Sequence, residues 1–186
     1  NVDLLNLQDG RGRTALHWVL QTWPANHGFW NVLWKASTEA ATILDDDGNT
    51  PLVLALQSSQ LPNDLVDSIV QEMVTALPSL ASLSPKRNAL CFNSSESFWP
   101  TPLYNALISG RSVSTLRTLI DAAGTSTLST IVTPNHEAPL HVAITMYSSE
   151  EIRDLLTSPE ALRVRDTHCL TPVDWLWLSH IRQRFA

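Results

Sequence analysis

The sequence has little of what marks nucleic-acid-binding, membrane-spanning or disulfide-rich proteins. Only 16% of its 186 residues are charged, and 12 Lys and Arg against 18 Asp and Glu give a net charge of −6. Such a chain lacks the basic face that neutralises phosphates, so we expect no nucleic-acid binding. Its two cysteines, Cys91 and Cys169, are too few for the disulfide framework of a small secreted domain. No apolar run approaches the roughly 18 residues that a membrane span needs.

The sequence also lacks the motifs of several enzyme and metal-binding classes. Its six glycines are scattered, so there is no glycine-rich phosphate loop, and no serine lies in a Gly-x-Ser-x-Gly context. The triplet Asp45–Asp47 precedes a glycine, as in a calcium loop, but the terminal Glu ligand is missing. His136 and His141 do not have zinc-protease spacing, and Pro139 interrupts the segment between them. We therefore expect no enzyme activity, no metal or other cofactor, and no small-molecule substrate.

The composition favours a soluble domain inside the cell. Hydrophobic residues make up 44% of the chain, enough for one domain with a sizeable core. No secretory signal peptide opens the chain, which begins with Asn1 rather than Met. We expect a cytoplasmic or nuclear protein, or an organellar one from which a targeting segment has been removed.

A short phrase recurs five times along the chain. It begins at Thr14, Thr50, Thr101, Ala138 and Thr171, and continues with Pro or Ala and then Leu or Val. Thr is a good helix N-cap, Pro is tolerated at the first helical position, and Leu then begins a buried stripe. Each phrase therefore predicts a helix start. A second helical pattern follows each of the first four, and polar turns separate the units.

The second helices should bury apolar stripes at helical spacing. In the first unit we assign the stripe to Phe29, Val32 and Leu33. The stripes of the next two units are Leu65, Ile69, Val70, Met73, Val74 and Leu77, and then Val113, Leu116, Leu119 and Ile120. The second unit is the longest, because the stretch between Leu83 and Trp99 adds a segment of loop composition.

This pattern resembles the ankyrin-repeat family, whose unit is a turn with Asp and Gly, the phrase Thr-Pro-Leu-His and two antiparallel helices. The matching positions are Asp9, Gly12, Thr14, Leu16 and His17; Asp45, Gly48, Thr50, Pro51 and Leu52; Gly110; Pro139, Leu140, His141 and Ala143; and Asp166, Thr171 and Pro172. The chain departs from the pattern at the His position (Val53, Tyr104, Asp174), at one Thr position (Ala138) and at the turn glycine (Phe98, His136, Cys169).

The resemblance implies an all-α, helical-hairpin solenoid. Residues 1–186 would form a single domain of about four repeats plus partial ends, with an insertion at 83–99. The sequence begins with what looks like the tail of a preceding repeat and stops one helix after Thr171, so we expect a fragment of a longer protein. The resemblance further implies that His17 and His141 hydrogen-bond within and between neighbouring turns and hold them in register.

The function implied by the resemblance is non-catalytic. The chain would be a scaffold that binds another protein through its concave groove, its hairpin tips or its insertion loop. The alternative is an ankyrin segment that recruits substrates to a larger enzyme or receptor, or regulates it. A self-contained enzyme is a third hypothesis, which would require a convergent set of polar groups in a pocket.

Several residues are candidates for contact with the partner protein. Most of the seven tryptophans should pack inside or between units. Trp18 and Trp175 follow the fourth residue of their phrases, in a row that the resemblance places on the concave face and that also contains Leu54, Asn105 and Val142. Aromatic residues at such places suit binding hot spots. The acidic tip of Asp45, Asp46 and Asp47 favours a basic partner. The remaining candidates are Leu90 and Phe92 in the insertion and Trp177 on the last helix.

Overall fold

A computed structural model describes residues 2–22, 29–83, 101–130, 132–133, 135–146 and 149–184. These residues form nine α-helices and five short 3-10 helices, and there is no β-strand among them. The prediction of an all-α protein is therefore confirmed for this part of the chain. The predictions for Leu90 and Phe92 in the insertion lie outside the described residues. No helix in the described ranges is both long and apolar enough to cross a membrane.

The α-helices are short, except for two that exceed 12 residues. In chain order they are α1 (Ala15–Thr22), α2 (Phe29–Ala36), α3 (Pro51–Gln57), α4 (Asn63–Ala76), α5 (Pro102–Ile108), α6 (Val113–Ala123), α7 (Pro139–Met146), α8 (Glu150–Leu156) and α9 (Pro172–Arg184). The 3-10 helices are Val2–Asn6, Glu39–Thr42, Pro78–Ala81, Thr125–Ser129 and Ala161–Arg163.

Each recurring phrase begins a helix. Helices α1, α3, α5, α7 and α9 start one residue after Thr14, Thr50, Thr101, Ala138 and Thr171. The Thr50 hydroxyl accepts the backbone N–H of Val53 at 3.2 Å, and the Thr101 hydroxyl accepts that of Tyr104 at the same distance. These are the N-cap bonds that satisfy a free donor of the first turn. The helix starts predicted from the phrase are therefore present.

The helices pack in two rows. The first row contains α1, α3, α5, α7 and α9, each in contact with the next, and α4, α6 and α8 follow one another in the second row. Each of the first four helices of the first row also packs against the helix that follows it in the chain. The core lies between the rows and includes the fully buried Leu20, Leu56, Ile69, Met73, Leu107, Leu119 and Leu156.

The apolar stripe predicted for the first unit was wrong. Phe29 and Val32 are exposed, whereas Trp30 and Trp34 are buried in the core and Leu33 is only partly buried. The two tryptophans lie four residues apart and so share one helix face. Turning this face inward removes more apolar surface from water than burying Phe29 and Val32 would. The stripes predicted for α4 and α6 are buried or partly buried, as expected.

The turns before the first-row helices share a backbone conformation. Gly12 and Gly48 have φ values of 71° and 78°, and His136 and Cys169 have φ values of 60° and 61°. The latter two occupy the positions where the sequence pattern expects glycine. A left-handed φ is unfavourable for a residue with a Cβ atom, so His136 and Cys169 adopt it against their own preference.

Arg111, which belongs to the next unit along the chain, binds the C-terminal end of α3. This residue is buried, and its guanidinium donates to the backbone carbonyls of Ala55, Leu56, Ser58 and Leu61 and to the side chain of Asn63. Carbonyls at a helix C-terminus have no partner within the helix and carry partial negative charge. Arg111 supplies their missing donors and fixes the turn between α3 and α4.

Candidate partner-binding surface

Asp9 holds the side chain of Trp18 at the start of the first row. One carboxylate oxygen of Asp9 accepts the backbone N–H groups of Arg11 and Arg13 at 2.8 and 2.9 Å, and the other accepts the indole N–H of Trp18 at 2.8 Å. The bond from Arg13, followed by those from Arg11 and Trp18, lowers the pKa of the Asp9 carboxyl. The carboxylate therefore stays charged near neutral pH and keeps Trp18 in one orientation.

Trp18 is exposed although it is held in place. Its exposed fraction is 43%, and the guanidinium of Arg13 lies 5.6 Å from the centre of its ring. That geometry is a cation–π contact. Arg13 also lies 3.7 Å from a carboxylate oxygen of Asp45 and 3.9 Å from one of Asp47. The exposed indole and the charged turn at 45–49 therefore form one surface.

The same arrangement recurs at the other end of the row. Asp166 accepts the backbone N–H groups of His168 and Leu170, both at 2.8 Å, and the indole N–H of Trp175 at 2.9 Å. Although burial opposes the shift, the bonds from Leu170, Trp175 and His168 lower the pKa of the Asp166 carboxyl. Trp175 is partly buried and packs edge-on against the ring of His141, with centroids 5.4 Å apart.

The acidic tip differs from the prediction. Asp45 is only 5% exposed, because its carboxylate accepts the backbone N–H of Asn49 at 2.7 Å and closes the turn, as Asp9 and Asp166 close theirs. Asp45 is therefore buried within the turn and not part of the exposed tip that the sequence predicts. Asp46 and Asp47 are exposed. The charge that the tip offers to a partner comes from these two residues.

The middle of the row is also less open than predicted. Leu54, Asn105 and Val142 are all buried. The Asn105 side-chain oxygen accepts the amide of Gln57 at 2.8 Å, and its amide donates to the backbone carbonyl of Thr101 at 3.1 Å. Asn105 thus links α3 to α5 and is buried, not on the open face where the sequence predicts it. The row is exposed at Trp18 and, in part, at Trp175.

Helix α9 exposes a large apolar surface. Trp177 is 70% exposed, and Val173, Leu176 and Leu178 are exposed with it. The sequence placed Trp177 among the candidates, and the structure leaves it uncovered. A second exposed apolar set at the other end of the chain was missed: Leu4, Leu7, Phe29 and Val32. The sequence analysis gave no correct indication of this set, because it assigned Phe29 and Val32 to the core.

Two histidines connect consecutive turns. The backbone N–H of Thr14 donates to His17 Nδ1 at 3.1 Å, so the ring carries its proton on Nε2 and donates it to the carbonyl of Asn49 at 3.1 Å. Likewise the N–H of Ala138 donates to His141 Nδ1 at 3.1 Å, and Nε2 donates to the carbonyl of Leu170 at 3.3 Å. The bonds expected within and between turns are present. Burial lowers the pKa of both rings.

Neighbouring turns also bond directly through their backbones. The N–H of Asp46 donates to the carbonyl of Arg11 at 3.0 Å, and that of Thr167 donates to Asn135 at 2.9 Å. In the described ranges, no three His, Cys, Asp or Glu side chains gather closely enough to hold a metal ion. The polar groups of these turns serve mainly to join one turn to the next.

Comparison with known proteins shows a likeness of fold. No protein-family model and no curated protein sequence matches the chain. Among 132 matching chains of solved structures is one chain of the complex between the Bd0816 predatory endopeptidase from Bdellovibrio bacteriovorus and immunity protein Bd3460. The TM-score is 0.65 at 15% sequence identity, and the match covers 96% of this chain and 80% of that one. At this identity the likeness concerns the fold alone.

Proposed function

We propose that this chain is a non-catalytic protein-interaction module of the ankyrin-repeat type. One observation carries the proposal: Trp18 is fixed by Asp9 and Arg13 yet remains 43% exposed beside a charged turn. An aromatic side chain that is already ordered loses little further entropy when a partner covers it. Such residues are typical binding hot spots.

Other features of the molecule support the repeat architecture. Four of the five phrases are preceded by a described turn, and in all four the left-handed residue lies two positions before the first residue of the phrase. Histidine and backbone bonds join the first turn to the second and the fourth to the fifth. One solved structure with a similar fold comes from a complex between two proteins. The fold therefore suits a surface presented to another protein.

The partner in this proposal is a protein that carries basic side chains. Asp46 and Asp47 extend from the turn beside Trp18, and the whole chain has a net charge of −6. Exposed carboxylates accelerate association with a basic surface, and salt screens that attraction within about 10 Å at 0.1 M. Binding should therefore weaken as salt is raised.

Affinity measurements on matched variants test the proposal. Once a partner has been captured and identified, its purified form is titrated with wild type, Trp18→Ala and Gln71→Ala. Gln71 lies exposed on α4 in the second row, so it serves as the control. We expect Trp18→Ala to weaken binding by about 10-fold or more, as hot-spot truncations do, and Gln71→Ala to leave it unchanged. Weakening by Gln71→Ala alone would overturn the proposed surface.

A second candidate function follows from helix α9. Its exposed Val173, Trp177 and Leu178 suit packing against a further part of the same polypeptide. In that case the module would recruit substrates to, or regulate, a larger enzyme or receptor. The test is the full-length protein: Trp177→Ser should then loosen the contact between the two parts, measured by limited proteolysis, and should leave partner binding at Trp18 intact.

A further inference from the structure

His141 lies in a closed circuit of contacts with the segment before α9. Its Nε2 donates to the carbonyl of Leu170, and the backbone N–H of Leu170 donates to Asp166. Asp166 accepts the indole N–H of Trp175, and Trp175 packs edge-on against the ring of His141. One imidazole thus touches both the turn before α9 and the residue that anchors α9. Loss of the His141 bond would loosen both together.

The first turn offers its histidine an extra partner that His141 lacks. His17 Nδ1 lies 2.9 Å from the Thr14 hydroxyl as well as 3.1 Å from the Thr14 N–H. A hydroxyl can donate or accept, so it can turn its oxygen lone pair toward a protonated Nδ1. At the fourth phrase Ala138 replaces Thr, and its backbone N–H is a donor only. A proton on Nδ1 of His141 would face another N–H with no acceptor.

Helix α9, which follows the turn bonded by His141, is also more weakly held than α3, which follows the turn bonded by His17. Every residue from Pro51 to Leu56 of α3 is buried. Among residues 172–181 of α9, only Pro172 is buried, and Trp175, Ser179 and Ile181 are partly buried. Elements with few buried contacts open locally before the rest of a protein unfolds. The contacts of Trp175 are therefore a large part of what holds α9 to α7.

We propose that His141 is a pH-sensitive link that releases helix α9 from α7 at mildly acidic pH, and that the alanine at position 138 makes it so. His17, backed by the Thr14 hydroxyl and by a buried helix, does not release α3 in the same way. The exposure of the C-terminal face, including Trp175, would therefore differ between neutral and mildly acidic conditions.

The sign of the pH dependence follows from burial. Burial is the largest influence on His141 and lowers its pKa below the usual 6.5, while the Leu170 carbonyl, Asp166 and Glu137 oppose the shift. The released ring has an ordinary pKa, so it takes up a proton more readily than the held one. The attachment of α9 is therefore strongest above pH 6.5 and weakens as pH falls below it.

Other titratable groups near α7 do not explain such a change. His168 Nδ1 lies 3.8 Å from a carboxylate oxygen of Asp166, and an ion pair between the two would hold that turn together instead of loosening it. Tyr104 on α5 has a pKa raised by burial and stays neutral. The other charged or titratable side chains whose exposure the structure describes on the elements packed against α7 are exposed or partly exposed: Glu150, Glu151, Arg153, Asp154, Arg163, Asp174 and His180.

Hydrogen exchange of the whole chain at pH 7.5 and 5.5 tests the proposal. Rates are corrected for the intrinsic pH dependence and compared between peptides that cover α9 and α3. If the released His141 ring has the ordinary pKa of 6.5, proton uptake by the released state favours release by up to about 10-fold at pH 5.5. We therefore expect a loss of α9 protection of up to that size, with α3 affected less. Equal α9 protection at the two pH values would overturn the proposal.

Substitutions separate His141 from every other titrating group. Ala138→Thr restores the hydroxyl found at position 14 and should reduce the α9 loss to less than about 3-fold. His141→Gln should lower α9 protection at both pH values and abolish its pH dependence. His180→Asn, on α9 itself, should leave the loss unchanged. A full pH-dependent loss that survives in His141→Gln would show that His141 is not the group responsible.

Discussion

Gly12 is constrained both by its own backbone and by the turn of the next unit. Its φ of 71° lies in the left-handed region, and a Cβ atom there would come within 2.8 Å of the Asp46 side chain and 2.9 Å of the Asp46 nitrogen. The bond from the Asp46 N–H to the Arg11 carbonyl brings the two turns this close. Only glycine satisfies both conditions at this position.

Replacing Gly12 should therefore lower the free energy of unfolding by more than replacing a glycine whose only constraint is its left-handed conformation. Gly110 is the matched control, because its φ is 67° and nothing lies within 4 Å of a Cβ built on it. We expect Gly110→Ala to lower the free energy of unfolding by about 1–2 kcal/mol and Gly12→Ala by clearly more. Urea denaturation of the two variants measures this. Equal losses would mean that the turns do not approach as closely as described.

Single residues also show where sequence reasoning succeeds and where it fails. His136 and Cys169 were predicted to occupy glycine positions because the phrase after each turn sets the register, and both have left-handed φ values. Asn105 was expected on an open face, but it bonds Gln57 from another unit. A pairing between residues so far apart leaves no local pattern in the sequence.

At the scale of elements, the recurring phrase predicted the start of every first-row helix. The buried faces of the helices that follow them in the chain were predicted less well. Periodicity alone allowed two faces of α2, and the burial of Trp30 and Trp34 decided between them. Arg111 was not singled out by the sequence, although it donates to four carbonyls around the end of α3. Its role depends on the stacking of one unit on another, which local spacing does not reveal.

Helix α7 offers a matched test of which face is buried. Leu140 is 3% exposed and belongs to the core, whereas Met146 at the end of the same helix is 56% exposed. We expect Leu140→Ala to lower the free energy of unfolding by about 2–5 kcal/mol and Met146→Ala by at most about 0.5 kcal/mol. Met146 is a better control than Gln57, whose amide bonds Asn105. Indistinguishable denaturation midpoints would contradict the assigned helix face.

At the scale of the whole molecule, several large exposed apolar side chains lie at the two ends of the rows of helices. Trp177 and its neighbours lie on α9, the last helix of the row, and the charged turn with Trp18 lies at the first. The sequence indicated both places. It could not show that the middle of the row is closed, because the burial of Leu54 and Val142 depends on how neighbouring helices approach.

The central claim is that the surface around Trp18 binds another protein, and site-specific photo-cross-linking tests it most directly. A photoreactive phenylalanine derivative replaces Trp18, or Gln71 on the second row as the control, in cells that express the full-length protein. We predict that one partner protein is cross-linked from position 18 and not from position 71. Cross-links to a partner from position 71 alone would contradict the account.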